Sequence, residues 1–294
     1  MQAMILAAGF GTRLLPYSRF RPKPLFPLLN TPLLLLQIEE LRRVGFRRIL
    51  VNCHHLSRQI EDVLAVFDDL VVLKEKRILG TGGALRKALD YLDEEPLLVV
   101  NGDIYHTMRY RALYEHFRDC GSKVLLALHD YPRFNSVEVE GSRVVGFAEK
   151  ESGNGLAFTG LHILDPQILK AMKKNRFSCI IDRYRQLLAN GERLAGVRVD
   201  ECSWRDIGTP ADYLDLHGDL LQRKVPCLMG LRPKIGDPCL VDDQARIGRG
   251  VRLREWCCIG KAFIGDNVSI RRSVVWDGAV IADGTTLTDA IVAQ

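Results

Sequence analysis

Four charged side chains stand where they could handle a phosphate. Arg13 and Lys23 follow the opening apolar run Ala3–Ala8, in a loop that reads Ala8-Gly9-Phe10-Gly11-Thr12-Arg13 and continues to Lys23. Glycines after a strand let backbone N–H groups approach a phosphate closely, and the two cations add charge. The loop is not a dinucleotide fingerprint, because Leu14 stands at the third glycine, and no G-K-[ST] follows as a P-loop requires. Asp103 closes Asn101-Gly102-Asp103 directly after the apolar run Leu97–Val100. A carboxylate there sits at the mouth of a sheet, where Mg²⁺ and phosphates meet, although an Asx-type turn explains the same tripeptide. Asp206 lies in Trp204-Arg205-Asp206-Ile207-Gly208-Thr209-Pro210. Thr209 suits an N-cap, Pro210 a first helical position and Asp212 the acidic place of a capping box. That leaves Asp206 either as a second metal carboxylate or as a solvated loop charge. Leu79-Gly80-Thr81-Gly82-Gly83-Ala84 opens a helix, and its glycines permit either close approach of a flat or anionic group or a flexible helix start.

The elements that must position these groups alternate. Apolar runs of strand length at Ala3–Ala8, Arg48–Cys53, Leu70–Leu73, Leu97–Val100 and Lys123–Leu128 are separated by helical patterns. In segment 56–67, Ile60, Val63, Leu64 and Phe67 share one helix face. Segment 32–44 has Thr31 as a candidate N-cap, Pro32 in the first turn and Gly45 past the end. The expectation is an α/β domain over residues 1–224: a Rossmann-like, mostly parallel sheet with helices on both faces and ligands beyond the carboxyl ends of its strands.

Near residue 225 the pattern changes. After a connection over 225–234, Ile235, Val241, Ile247, Leu253 and Ile259 recur every six residues. Ile264, Ile270 and Trp276 follow after a one-residue slip, and Ile281 and Leu287 after a second. A sustained six-residue period fits one apolar residue per flat face of a β-helix, so a small β-helix of about three coils is expected over 235–294.

Taken together the motifs resemble the sugar-1-phosphate nucleotidylyltransferases. MILAAGFGTRLLPYSRFRPKPLFPL is similar to that family's signature loop. LGTGGAL, VVNGDI, the FAEK at 147–150, FTGLHILDP and WRDIGTP then follow in the family's order. The resemblance implies that Ala8, Gly9, Gly11, Thr12, Arg13, Lys23, Glu75, Gly80, Thr81, Gly82 and Asn101 bind nucleotide, with Arg13, Lys23 and Asp103 catalytic. Lys150 and Gly160 would meet the sugar phosphate, and Asp103 and Asp206 would hold Mg²⁺. Ser18 stands where the family has Thr, and Glu151 where it has Pro. The implied reaction joins a sugar-1-phosphate to a nucleoside triphosphate with release of pyrophosphate, most specifically GTP with mannose-1-phosphate. Uridylyl transfer to glucose- or N-acetylmuramate-1-phosphate and a non-catalytic nucleotide-sugar sensor are the alternatives. The resemblance also makes the terminal coils a left-handed β-helix. An acyltransferase would need a histidine in those coils, and the last one is His217.

Composition narrows the classes. The 294 residues are 47% hydrophobic and 26% charged, as in an ordinary globular protein, and a net charge of +5 does not call for nucleic acid. The richest apolar stretch, 24–38, is broken by Pro27, Asn30 and Pro32, and no membrane span or export signal is expected. Eight dispersed cysteines without a CxxC pair read as reduced thiols of a cytoplasmic protein. His54-His55, adjacent on an extended segment, point apart and make a poor metal pair. The terminal coils are expected to support a homo-oligomer, so that truncation near residue 230 changes assembly more than chemistry.

Overall fold

The computed structural model describes residues 1–148, 155–228, 230–231 and 238–293. The chain forms two compact units: Met1–Gly9 with Leu41–Trp204, and Phe10–Glu40 with Arg205–Gln294. The part of the loop from Phe10 onward thus groups with the C-terminal third of the chain.

The first unit is built on nine strands: β1 (Gln2–Leu6), β2 (Arg48–Cys53), β3 (Leu70–Lys74), β4 (Leu97–Asn101), β5 (Val124–His129), β6 (Asn135–Glu140), β7 (Arg143–Phe147), β8 (Leu156–Leu164) and β9 (Leu194–Arg198). They lie in the order β3-β2-β1-β4-β8-β5-β9-β7-β6. The β1–β2, β1–β4, β2–β3 and β5–β9 pairs are parallel. Strand β8 runs against β4 and β5, and β7 against β9 and β6. All the other strands share one direction, so the sheet is mostly parallel but mixed in its second half.

Ala3, Met4 and Ile5 have no solvent exposure, the mark of a strand covered on both faces. On one face Met4, Leu50, Val99 and Leu126 pack with Ala84, Leu85 and Ala88 of α3 (Gly80–Ala88) and with Ile180, Tyr184 and Leu187 of α5 (Ile180–Ala189). Their neighbours Ile5, Leu98 and Val100 point the other way. There α4 (Tyr110–Asp119) packs on β5 and β8. Helix α2 (Ser57–Leu64) buries Ile60 and Leu64, two members of the face read from the sequence. Helix α1 (Leu33–Val44) ends before Gly45, whose φ of 102° only glycine adopts readily. Thr31 and Pro32 do not cap it. They pair with Pro27 and Leu28 in a two-stranded turn that holds them extended.

In the second unit α6 (Pro210–Leu221) is capped as expected: Thr209 Oγ1 accepts from the Asp212 amide at 3.1 Å and donates to Asp212 Oδ2 at 2.8 Å. The C-terminal strands are β10 (Cys239–Val241), β11 (Arg246–Ile247), β12 (Arg252–Ile259), β13 (Phe263–Ile264), β14 (Ser269–Val275), β15 (Val280–Ile281), β16 (Thr286–Thr288) and β17 (Ile291–Val292). They form two parallel sheets, β10-β12-β14-β16 with β17 also on β14, and β11-β13-β15. Arg246 pairs with Phe263 and Phe263 with Val280, a return of the chain every 17 residues. Cys257, Ile259, Ile264, Val268, Ile270, Val275 and Ile281 fill the interior.

Three glycines of this segment have a shared cause. A Cβ at Gly248, Gly260 or Gly265 would meet Oδ1 of Asp266, Asp277 or Asp283 at 2.6, 2.3 or 2.3 Å. Those same carboxylate oxygens accept the amides of Arg249, Lys261 and Asp266. Two residues depart from the periodic reading: Ile247 is 43% exposed, and Trp276 is displaced from the interior. Val275, the partner of Ile259, occupies the interior, and Trp276 turns outward. It is nonetheless only 1% exposed, because Phe26 and Tyr213 cover it. Ile235 lies outside the described residues.

All eight cysteines are free thiols. Burial pushes Cys53 up to about 11 and Cys257 up to about 12, so neither is a reactive thiolate. No helix among the described residues is long and apolar enough to cross a membrane.

Candidate functional site

In the first unit the carboxyl ends of β1, β2 and β4 lie side by side, with Leu6 opposite both Asn52 and Asn101. The Gly102 amide donates to the Leu6 carbonyl at 2.8 Å, and a Cβ on Gly102 would come within 3.0 Å of that oxygen. This close approach turns the chain sharply after β4 and presents Asp103, half-buried, at the strand ends. The Asn101 amide lies over Gly160, where a Cβ would sit 2.3 Å from Nδ2. Gly160 has φ 80° and lies in the irregular stretch of β8 between Phe158 and His162. Asn101 and Gly160, drawn from two distant motifs, therefore meet. Gly9 has open space around it, and Ala8 is half-buried beside it.

Glu75 is 4% exposed and braces this edge. Asn52 Nδ2 donates to its Oε1 at 2.8 Å, and the Leu79 amide donates to Oε2 at 2.9 Å. Asn52 Oδ1 in turn accepts the Ala7 amide at 2.9 Å. One chain of hydrogen bonds thus ties the end of β1 to β2, β3 and the start of α3. Asn52 was not singled out from sequence; its only signal is a polar residue near the end of an otherwise apolar strand. His54 donates Nδ1–H to the Glu75 carbonyl at 2.9 Å.

The glycines of 79–84 meet something neither reading of the sequence proposed: the chain itself. A Cβ at Gly80 would fall 2.5 Å from the Ser178 carbonyl oxygen, at Gly82 2.6 Å from Met172 Cε, and at Gly83 2.3 Å from the Arg176 carbonyl oxygen. The Gly82 amide donates to Ser178 O at 2.9 Å, and Thr81 Oγ1 accepts the Ile180 amide at 3.0 Å. The glycines admit the segment that leads into α5, and α3 and α5 pack together because of it.

The second unit gathers the charges. Gly11, with φ 63°, opens the turn Thr12–Leu14. Arg13 Nη2 stands 3.3 Å from Asp206 Oδ2 and Lys23 Nζ 3.3 Å from Oδ1, so one carboxylate bridges two cations. The Lys23 side chain is 7% exposed and that of Asp206 14%, whereas Arg13 is 57% exposed. Gly208 leaves room for this arrangement, since a Cβ there would lie 2.5 Å from Asp206 Oδ2 and 2.7 Å from Arg13 Nη1. Asp206, which had no capping duty in the sequence, is thus a fixed countercharge. One negative charge between two positive ones leaves a surplus suited to an anion. Lys150 lies outside the described residues. Among those residues no three His, Cys, Asp or Glu side chains gather into a ready-made metal site.

A family model described as Nucleotidyl transferase matches residues 2–223. Mannose-1-phosphate guanylyltransferase 1 of Arabidopsis thaliana is 30% identical over 312 residues, covering 99% of this chain and 86% of that protein. Mannose-1-phosphate guanylyltransferase of Mycobacterium tuberculosis is 28% identical over 305 residues, covering 100% and 83%. Among solved structures, HddC from Yersinia pseudotuberculosis complexed with GMP-PN superposes with a TM-score of 0.63 at 26% identity, over 73% of this chain and 97% of that one.

Proposed function

The chain belongs to the nucleotidyl transferase family, as a sugar-1-phosphate nucleotidyltransferase, and we propose that it joins GTP to mannose-1-phosphate, giving GDP-mannose and pyrophosphate. The observation that carries this reading is the convergence of Arg13 and Lys23 on Asp206. The names of the relatives supply the base and the sugar.

In the reaction an oxygen of the sugar phosphate attacks the α-phosphorus of GTP. A P–O bond forms there, the bond to the β-phosphate oxygen breaks, and its electron pair leaves with pyrophosphate. The attacking oxygen is already anionic, so the protein needs no general base. It must align the two substrates and neutralise charge at the reacting centre. Lys23, held in a nearly closed site, fits the α-phosphate, whose position must not drift. Arg13, exposed and forked, fits the departing β- and γ-phosphates. The Gly9–Thr12 backbone would offer amides to the same phosphates, Asn101 would meet the nucleotide, and Gly160 and Lys150 would meet the sugar phosphate. Glu75 acts by fixing Asn52 and the Leu79 amide, and with Gly80, Thr81 and Gly82 it shapes the edge that meets the base.

Mg²⁺ takes one or two carboxylates and completes its shell with substrate oxygens and water. Asp103 and Asp206 would supply that number for an ion that arrives with its nucleotide. When bound it supplies further charge neutralisation on the phosphates. The domain reading is a catalytic domain over 1–224, a connection over 225–234 and a hexapeptide-repeat, left-handed β-helix over 235–294, in a cytoplasmic homo-oligomer. The 17-residue return of the chain supports the β-helix.

Pyrophosphate release with Mg²⁺, across the common nucleoside triphosphates and a panel of sugar-1-phosphates, tests the proposal. Release that requires GTP and mannose-1-phosphate together, and that stops on chelation with EDTA, is expected. Release with a different pair overturns the substrates, and silence across the panel overturns the reaction.

A further inference from the structure

We propose that Trp276, in the C-terminal coils, is a positioning residue for the loop that carries Arg13 and Lys23, so that the coils act on the chemistry through that loop. The inference rests on the reading of Arg13 and Lys23 as phosphate-binding groups.

Trp276 is held firmly by its own segment. Its amide donates to the Val292 carbonyl of the following turn of the chain at 2.8 Å, and the preceding Val275 is locked in the interior. Its ring faces the loop. The Arg21 guanidinium lies 4.8 Å from the ring centroid, Phe26 meets it edge-on at 4.8 Å, and Tyr17 is tilted against it at 6.2 Å. The indole N–H donates to Tyr213 Oη at 3.0 Å, and that hydroxyl donates to the Pro27 carbonyl. Lys23 lies between Arg21 and Phe26, and both of these rest on one ring. A second tie lies farther along, where Asn30 Nδ2 donates to the Ile259 carbonyl at 2.9 Å and the Cys258 thiol donates to Asn30 Oδ1 at 3.2 Å.

Physical chemistry favours an effect on rate. Cation–π and edge-on aromatic contacts are directional and fix orientation as well as burial. A displacement of about 1 Å in a charge-positioning group costs about a hundredfold in rate.

The test uses the full chain and compares Trp276→Leu, Trp276→Phe and Arg21→Ala with Val280→Thr, a change at a 66% exposed position of the same coils. Two readouts are taken: kcat and KM for GTP with mannose-1-phosphate, and the rate of tryptic cleavage after Arg13 and Arg19. Trp276→Leu is expected to lower kcat about ten- to a hundredfold with a smaller change in KM, and to accelerate cleavage in the loop. Trp276→Phe, which keeps a ring under Arg21, should recover most of both. Arg21→Ala should accelerate cleavage alone but add little in the Trp276→Leu background. Loop cleavage at the wild-type rate in Trp276→Leu overturns the proposal, as do additive effects of the two changes. Should Trp276→Leu not fold, Arg21→Ala and Trp276→Phe decide on the same readouts. A wild-type enzyme that releases no pyrophosphate from any substrate pair refutes the catalytic reading, while the cleavage rates still decide the role of Trp276.

Discussion

Asp206 illustrates how a residue's neighbours assign its work. It faces Arg13 and Lys23 at once, and Lys23 has little access to water. Asp206→Asn should therefore lower pyrophosphate release about a hundred- to a thousandfold and also lower the melting temperature, because it removes a carboxylate charge from between two cations. Asp103→Asn should cost comparable rate with the melting temperature kept. Wild-type release by either variant would remove that carboxylate from the chemistry. Asn52 is a sharper structural case. Asn52→Ala strands a Glu75 carboxylate oxygen at 4% exposure and removes the Ala7 contact, for an expected loss of about 2–3 kcal/mol in urea denaturation. A loss below about 0.5 kcal/mol would mean the brace is not a stabilising element.

At the scale of elements, the start of α3 owes its glycines to the 172–179 segment. Gly83→Ala drives a methyl into the Arg176 carbonyl at 2.3 Å. It should destabilise the first unit by about 1–3 kcal/mol, the usual result of overpacking. An unchanged melting temperature with a raised KM for GTP would return the glycines to a ligand. Strands β6 to β9 were not foreseen. Of these, β8 contains a glycine at positive φ and a register irregularity, β7 and β9 carry Gly146 and Gly196, and β6 alternates polar with apolar residues, so none reads as an uninterrupted apolar run.

For the molecule as a whole, three buried histidines link stability to pH. Burial pushes His162 down to about 3, and His106 and His217 down to about 4. Two of them are committed to neutral forms by their partners: His217 donates Nδ1–H to Tyr213 O and accepts the Leu29 amide at Nε2, and His106 accepts the Met108 amide at Nδ1. A depressed histidine means that the unfolded chain binds the proton first. Stability is therefore complete above the ordinary value near 6.5 and falls as pH drops toward 4, by about 2 kcal/mol per histidine at pH 5. Urea midpoints at pH 7.5 and 5 measure this, and equal midpoints would contradict it. The same scale revises the expected effect of truncation near residue 230. Because Arg21, Phe26 and Asn30 rest on residues 258–276, removal of the coils should lower turnover together with any change in assembly. Native turnover in the truncated chain would restore the simpler view.

Much was fixed by the chain before it folded. Local rules reach a few residues along it, so the strand-ending Asn101-Gly102-Asp103, the Thr209–Asp212 cap, the apolar face of α2 and the change to short strands in the C-terminal segment were all readable there. What only tertiary structure decided is which distant groups share a space. The pairing of Asn101 with Gly160, of Gly80–Gly83 with the 172–179 segment, and of Asp206 with both Arg13 and Lys23 each spans tens to hundreds of residues. Trp276 shows the limit most clearly. Its six-residue spacing marked it as interior, but spacing carries no record of a loop 250 residues upstream that supplies a second apolar surface. A large ring is buried as well by that surface as by the coil's own core, and only the folded chain chooses between them.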